Sequence, residues 1–106
     1  MAEKGMVQAE MATAPRDSGW TLLSNHGKVL VCVAQKPDIR VSEIAHRVGI
    51  KERAVQRILA ELRDEGVISS TRDGRRNHYQ VDRRRQMPWA EEQAVPVGRL
   101  IDALNA

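Results

Sequence analysis

Lys51, Glu52, Arg53, Gln56 and Arg57 crowd into one short stretch whose intervening positions are largely apolar. The planar fork of an arginine matches the two acceptors on a guanine edge, and a glutamine amide matches the donor and acceptor on adenine. Arg53 and Gln56 are therefore the side chains best equipped to read a base. Further along, Arg72, Arg75, Arg76, Arg83, Arg84 and Arg85 stand against only Asp73 and Asp82, a net +4 in a chain whose formal charge is +3. The remainder is slightly acidic. Such a basic block is either a place to hold phosphate or a solvated face, and charge alone does not choose between them.

Other chemistries find little support. His26, His46 and His78 are scattered, and with the single Cys32 they lack the compact spacing of metal ligands, so no metal or other cofactor is expected. There is no glycine-rich phosphate loop, no Ser/His/Asp set and no spaced carboxylate pair; Asp64-Glu65 reads as a solvated helix end, and the chain reads as a non-enzyme. Cys32 lies in an apolar stretch, where a buried small hydrophobe is the plainer reading and a redox sensor the minor one. No run approaches the roughly 20 apolar residues of a membrane span, and the N-terminus has no apolar signal core, which predicts a cytoplasmic protein with no membrane partner.

The elements that would position these side chains follow from periodicity. A chain of 106 residues with 42% hydrophobic content fits one domain, and with no Phe its core must be aliphatic. Residues 1–18 show no lasting period and read as a flexible arm. Ser24 or Asn25 can cap a first helix carrying Val29, Leu30, Val33 and Ala34, which Gln35-Lys36-Pro37-Asp38 stops. Ile39, Arg40 and Val41 suit a short extended piece, after which Ser42 caps a second helix with Ile44, Ala45 and Val48 on one side. Val55, Ile58, Leu59 and Leu62 repeat at i, i+3, i+4 and i+7, predicting a third helix over 52–65 with Gly66 as its left-handed end.

Residues 67–72 and 78–81 then suit two strands about an Asp73-Gly74 turn. A Pro-containing connector through Met87-Pro88-Trp89 follows. Val97, Leu100, Ile101 and Leu104 form a second stripe, on a C-terminal helix over 96–104. That stripe either pairs two copies of the chain or packs on its own domain, against Leu22 and Leu23.

The order Ala45, Gly49, Val55, Ile58 has a mechanical logic. Two helices crossing steeply need a small side chain at the contact, and the tight turn between them needs the positive φ that glycine adopts cheaply. With Val55 and Ile58 turned inward, the charged and amide side chains from Lys51 to Arg63 take the outer faces. Lys51 stands at the cap position of that helix, where it cannot accept the orphan N–H bonds.

From Val41 to Val81 the sequence resembles the winged helix-turn-helix domain of MarR-like and ArsR-like prokaryotic transcriptional regulators, a likeness reaching back to Trp20. Asn25-His26-Gly27, Glu52 to Arg57 and Gly74 to Asn77 are also similar to segments of a group of short regulators of this kind. The resemblance implies groove contacts by Lys51, Glu52, Arg53 and Gln56, backbone contacts by Arg47 and Arg57, and wing contacts by Arg72, Arg75, Arg76 and His78. The expected fold is mainly α with a small β-hairpin: a winged helix-turn-helix over 19–86, then a connector and dimerisation helix over 87–106. The expected function is a sequence-specific regulator, a homodimer on double-stranded DNA. The alternative is a winged helix used as a protein-interaction or RNA-associated module.

Overall fold

The computed structural model describes residues 20–105, and the expectation of an arm over 1–18 lies outside them. Three helices come first: α1 (Asn25–Gln35), α2 (Val41–Val48) and α3 (Glu52–Asp64). Strands β1 (Ile68–Asp73) and β2 (Arg76–Val81) form an antiparallel wing, β3 (Gln86–Ala90) and β4 (Gln93–Pro96) a second antiparallel hairpin, and α4 (Val97–Asn105) closes the described chain. This is the winged helix-turn-helix that the resemblance implies, with one hairpin more.

The core is aliphatic apart from Tyr79 and Cys32. Val29 and Val33 of α1, Ile44 of α2, and Val55, Ile58 and Leu59 of α3 are all buried. The i, i+3, i+4, i+7 stripe of α3 thus faces inward over its whole length. Val97 and Ile101 join the same cluster from α4, at 2% and 1% exposure. They are therefore spent within their own domain, which leaves of the C-terminal stripe Leu100, half-buried, and Leu104, 42% exposed.

The helix ends show which local signals win. Ser24 caps α1, its hydroxyl accepting from the Gly27 N–H at 3.3 Å. Gly49 ends α2 at φ 82° and leads directly into α3, whose Lys51 cap makes no side-chain bond. Ser42 is not the cap of α2. The helix starts one residue before it, Arg40 occupies the cap position without a side-chain bond, and the Ile44 N–H closes the first turn on the Arg40 carbonyl at 3.0 Å. Residues 39–41 form no ladder: the turn lies at Pro37-Asp38, where the Ile39 N–H bonds the Lys36 carbonyl, Arg40 keeps the extended backbone expected there, and Val41 already opens the helix.

In the wing, Asp73 pairs with Arg76, which leaves Gly74-Arg75 as the two-residue loop, one place beyond the expected dipeptide. Gly74 has φ 65° and Arg75 is not among the positive-φ residues, the pattern of a loop that requires glycine first. The connector expected at Met87-Pro88-Trp89 is instead a strand. Pro88 sits opposite Ala94 beside a register shift between Pro88 and Ala90, a position where the missing N–H breaks no continuous ladder.

The 82–85 turn is held tightly to α4. The Gly98 N–H donates to the Arg83 carbonyl at 2.9 Å, and Arg83 Nη2 donates to Asp102 at 2.6 Å and to the Gly98 carbonyl at 3.3 Å. A Cβ on Gly98 would lie 3.0 Å from Arg83 Cβ and 3.1 Å from its carbonyl oxygen. Helix propensity alone favours alanine over glycine by about 1 kcal/mol in a helix interior. Here the clash with hydrogen-bonded backbone outweighs it, so Gly98→Ala is expected to destabilise the fold by about 1–2 kcal/mol in urea unfolding. A gain in stability would show that this contact is looser than its geometry.

Candidate nucleic-acid interface

The inward stripe of α3 fixes its outward face. Lys51, Glu52, Arg53, Gln56 and Arg57 are all exposed along the first half of the helix. Lys51, Arg53 and Gln56 make no side-chain hydrogen bond or ion pair within the described residues, so their donors are free for an outside partner. Glu52 lies in the first turn, where a carboxylate is favoured by the helix dipole. Arg57 is engaged: its guanidinium lies 3.6 Å from Glu61, and the same carboxylate oxygen takes His26 Nε2 at 2.6 Å. Arg47, on α2, lies 3.5 Å from Glu43, which also holds Lys36 at 3.1 Å.

The wing divides its basic residues between two faces. Residues directly opposite across an antiparallel ladder share a face. His78 pairs with Thr71 and Arg76 with Asp73, while Arg72 pairs with Asn77 on the face that carries buried Tyr79 and Ile68. Arg72, Arg75, Arg76 and His78 are all exposed, but they do not form one surface. Arg72 donates to the Gly74 carbonyl at 3.3 Å, bracing the loop that presents Arg75. Arg75 and His78 have no partner among the described residues.

Much of the basic block is already neutralised. Arg76 pairs with Asp38 at 3.0 Å, Arg83 with Asp102 at 2.6 Å and Arg85 with Glu65 at 3.9 Å. Of the six arginines from 72 to 85, only Arg75 and Arg84 offer guanidiniums without an internal partner among the described residues. The local excess of charge therefore overstates the free cationic surface, and Arg83 ties the 82–85 turn to α4.

Asp38 was invisible from sequence as a functional residue. Its partner stands 38 residues away, and only the fold brings the turn after α1 against the wing. A second tie lies beside it: the Tyr79 N–H donates to the Pro37 carbonyl at 2.8 Å. Wing and helix-turn-helix are thus fastened at two points, by one backbone bond and one ion pair.

Cys32 is 7% exposed, at the interface of α1 with α2. Burial pushes its thiol up from the ordinary value, against the lowering pull of the Arg47 guanidinium. A thiol so placed is a poor nucleophile. Among the described residues, no group of three His, Cys, Asp or Glu side chains is placed to hold a metal ion, and no helix is long and apolar enough to cross a membrane.

Residues 22–69 match the family model described as winged helix-turn-helix DNA-binding. No curated protein matches the sequence. Among solved structures, the chain is similar to a predicted DNA-binding transcriptional regulator from E. coli, with 21% identity over 98% of this chain and 90% of that one and a TM-score of 0.53. It is also similar to the adhesin competence repressor AdcR of Streptococcus pyogenes (13% identity, 96% and 67% covered, TM-score 0.54). Wild-type ZitR of Lactococcus lactis in complex with DNA gives 19% identity, 96% and 70% covered, and a TM-score of 0.53. The chain spans only 61% and 62% of two further ZitR structures, one of them described as a zinc-responsive MarR family member. At these identities the shared property is the fold. The chain therefore has the winged helix-turn-helix fold, its residues 22–69 matching the family model and its wing completed by β2, with a second hairpin and a C-terminal helix beyond.

Proposed function

We propose that this protein is a sequence-specific transcriptional regulator that binds double-stranded DNA as a homodimer. The observation that carries the reading is the outer face of α3, where Lys51, Arg53 and Gln56 stand exposed and unengaged on a helix whose other face is locked in the core. In this reading α3 enters the major groove, Arg53 and Gln56 read base edges, and Lys51 and Glu52 border them. Arg47 and Arg57 hold the backbone, and the wing, through Arg72, Arg75, Arg76 and His78, lies on flanking backbone or minor groove. The DNA-bound structures of ZitR and of FabT from Streptococcus pneumoniae lend support by likeness of fold. Such a regulator works in the cytoplasm and is not an enzyme.

Fluorescence anisotropy with a duplex selected from random sequence tests this, with an unrelated duplex for comparison. Arg53→Ala and Gln56→Ala are expected to cost about 1–3 kcal/mol on the selected duplex and little on the other. Arg75→Ala is expected to weaken both about equally, since a phosphate contact carries no base information. Equal losses on both duplexes for Arg53→Ala and Gln56→Ala would remove those residues from base reading. No binding of the wild-type protein to either duplex in low salt would favour a protein-interaction module.

A further inference from the structure

A cleft of about 410 Å³ opens between the turn that follows α1 and the tip of the wing, lined among others by Asp38, Arg40, Arg75, Arg76 and Asn77. Its lining residues include three arginines and one aspartate. That carboxylate is already engaged, since Asp38 holds Arg76 at 3.0 Å. Arg40 and Arg75 remain: both are exposed, and neither has a hydrogen-bond or ion-pair partner among the described residues. Two arginines without internal partners at one concavity offer an anion seated there two cationic donors. The Tyr79–Pro37 backbone bond ties the two walls of the cleft together, and Arg72 braces the loop that carries Arg75.

We infer that this cleft is a seat for one backbone phosphodiester, gripped by Arg40 from the helix-turn-helix side and by Arg75 from the wing side. Arg40 is then a DNA contact that the sequence resemblance does not assign. A guanidinium fork suits a phosphate better than an ammonium does, because two parallel N–H donors meet two oxygens. The seat rests on the DNA-binding reading and adds to it a specific grip at the junction of the two units.

The test uses the full chain and titrates duplex DNA at several salt concentrations. Wild type, Arg40→Ala, Arg75→Ala, the double variant and Arg40→Lys are compared, with circular dichroism confirming that each is folded. Arg40→Ala is expected to weaken binding about tenfold near 0.1 M salt, and the double variant, which empties the seat, to flatten the slope of log K against log salt by roughly 0.9 per seat. Because both arginines hold the same phosphate, the double variant is expected to lose clearly less than the two single losses combined. Arg40→Lys should keep the salt slope while losing part of the affinity. Wild-type affinity in Arg40→Ala would overturn the seat while leaving DNA binding intact, as would strictly additive losses in the double variant. Failure of the wild-type protein to bind DNA would overturn both the seat and the function beneath it.

Discussion

Raising salt from about 50 to 200 mM is expected to weaken DNA binding by roughly 10⁴-fold. In the proposed reading Arg47, Arg57, Arg75 and Arg76 make four phosphate contacts in each subunit of a homodimer. Eight contacts in a dimer give a slope of log K against log salt of about −7, and Arg40 adds no further phosphate to the count because it shares one with Arg75. Three of the four are paired in the free protein: Arg47 with Glu43, Arg57 with Glu61 and Arg76 with Asp38. Those pairs are solvent-exposed, and exposed ion pairs typically contribute about 0–1 kcal/mol. Exchange of a carboxylate for a polyanion therefore meets little resistance. Fluorescence anisotropy across this salt range reads the slope directly, and a value near zero would mean that phosphate contacts do not drive association.

The second large effect concerns assembly. With Val97 and Ile101 committed to the core, what remains of the α4 stripe is Leu100 and Leu104. Leu100 shares an apolar groove of about 650 Å³ with Leu22, Leu23, Met87 and Pro88, and Leu22 is 89% exposed at its edge. Trp89, next along β3, is 65% exposed. Contiguous apolar surface of this kind marks an interaction site, and a twofold axis through it would let two copies of α3 meet successive major grooves about 34 Å apart. An aspartate at either position would then place an unpaired charge in the interface. Leu104→Asp, and more strongly Leu100→Asp, should convert the protein from dimer to monomer in light scattering and weaken binding to an inverted repeat by orders of magnitude. Unchanged circular dichroism of Leu104→Asp would separate lost assembly from lost folding. Wild-type protein running as a monomer at tens of micromolar would falsify the dimer.

The parts of this fold that the sequence shows are those set by short-range rules. The stripe from Val55 to Leu62 allows one helix and one buried face, and Gly49, Gly66 and Gly74 stand where the backbone takes φ of 82°, 75° and 65°. What escaped reading depends on distant partners. Ser42 has the chemistry of a cap, yet Ile39 and Ile44 both sink into the core and draw the helix start back to Val41. Pro88 argues against a strand until a register shift beside it removes the objection. Val97 and Leu100 look equivalent by spacing, and only the placement of α1 and the 82–85 turn divides them between core and surface. For the candidate interface, Arg53 and Gln56 follow from the helix period, whereas the engagement of Arg76 with Asp38 required the wing to be folded against its neighbour.

That double fastening also shapes the thermodynamics of association. A two-stranded hairpin on its own is marginal in water and would have to be ordered by whatever it binds. Here the Tyr79 side chain is buried and its N–H is bonded to Pro37, so the wing is already in place before DNA arrives. The entropy of arranging it belongs to folding and not to binding. What the complex must then overcome is the loss of rigid-body freedom and the immobilisation of a few arginine side chains, a smaller opposition than a disordered arm would present.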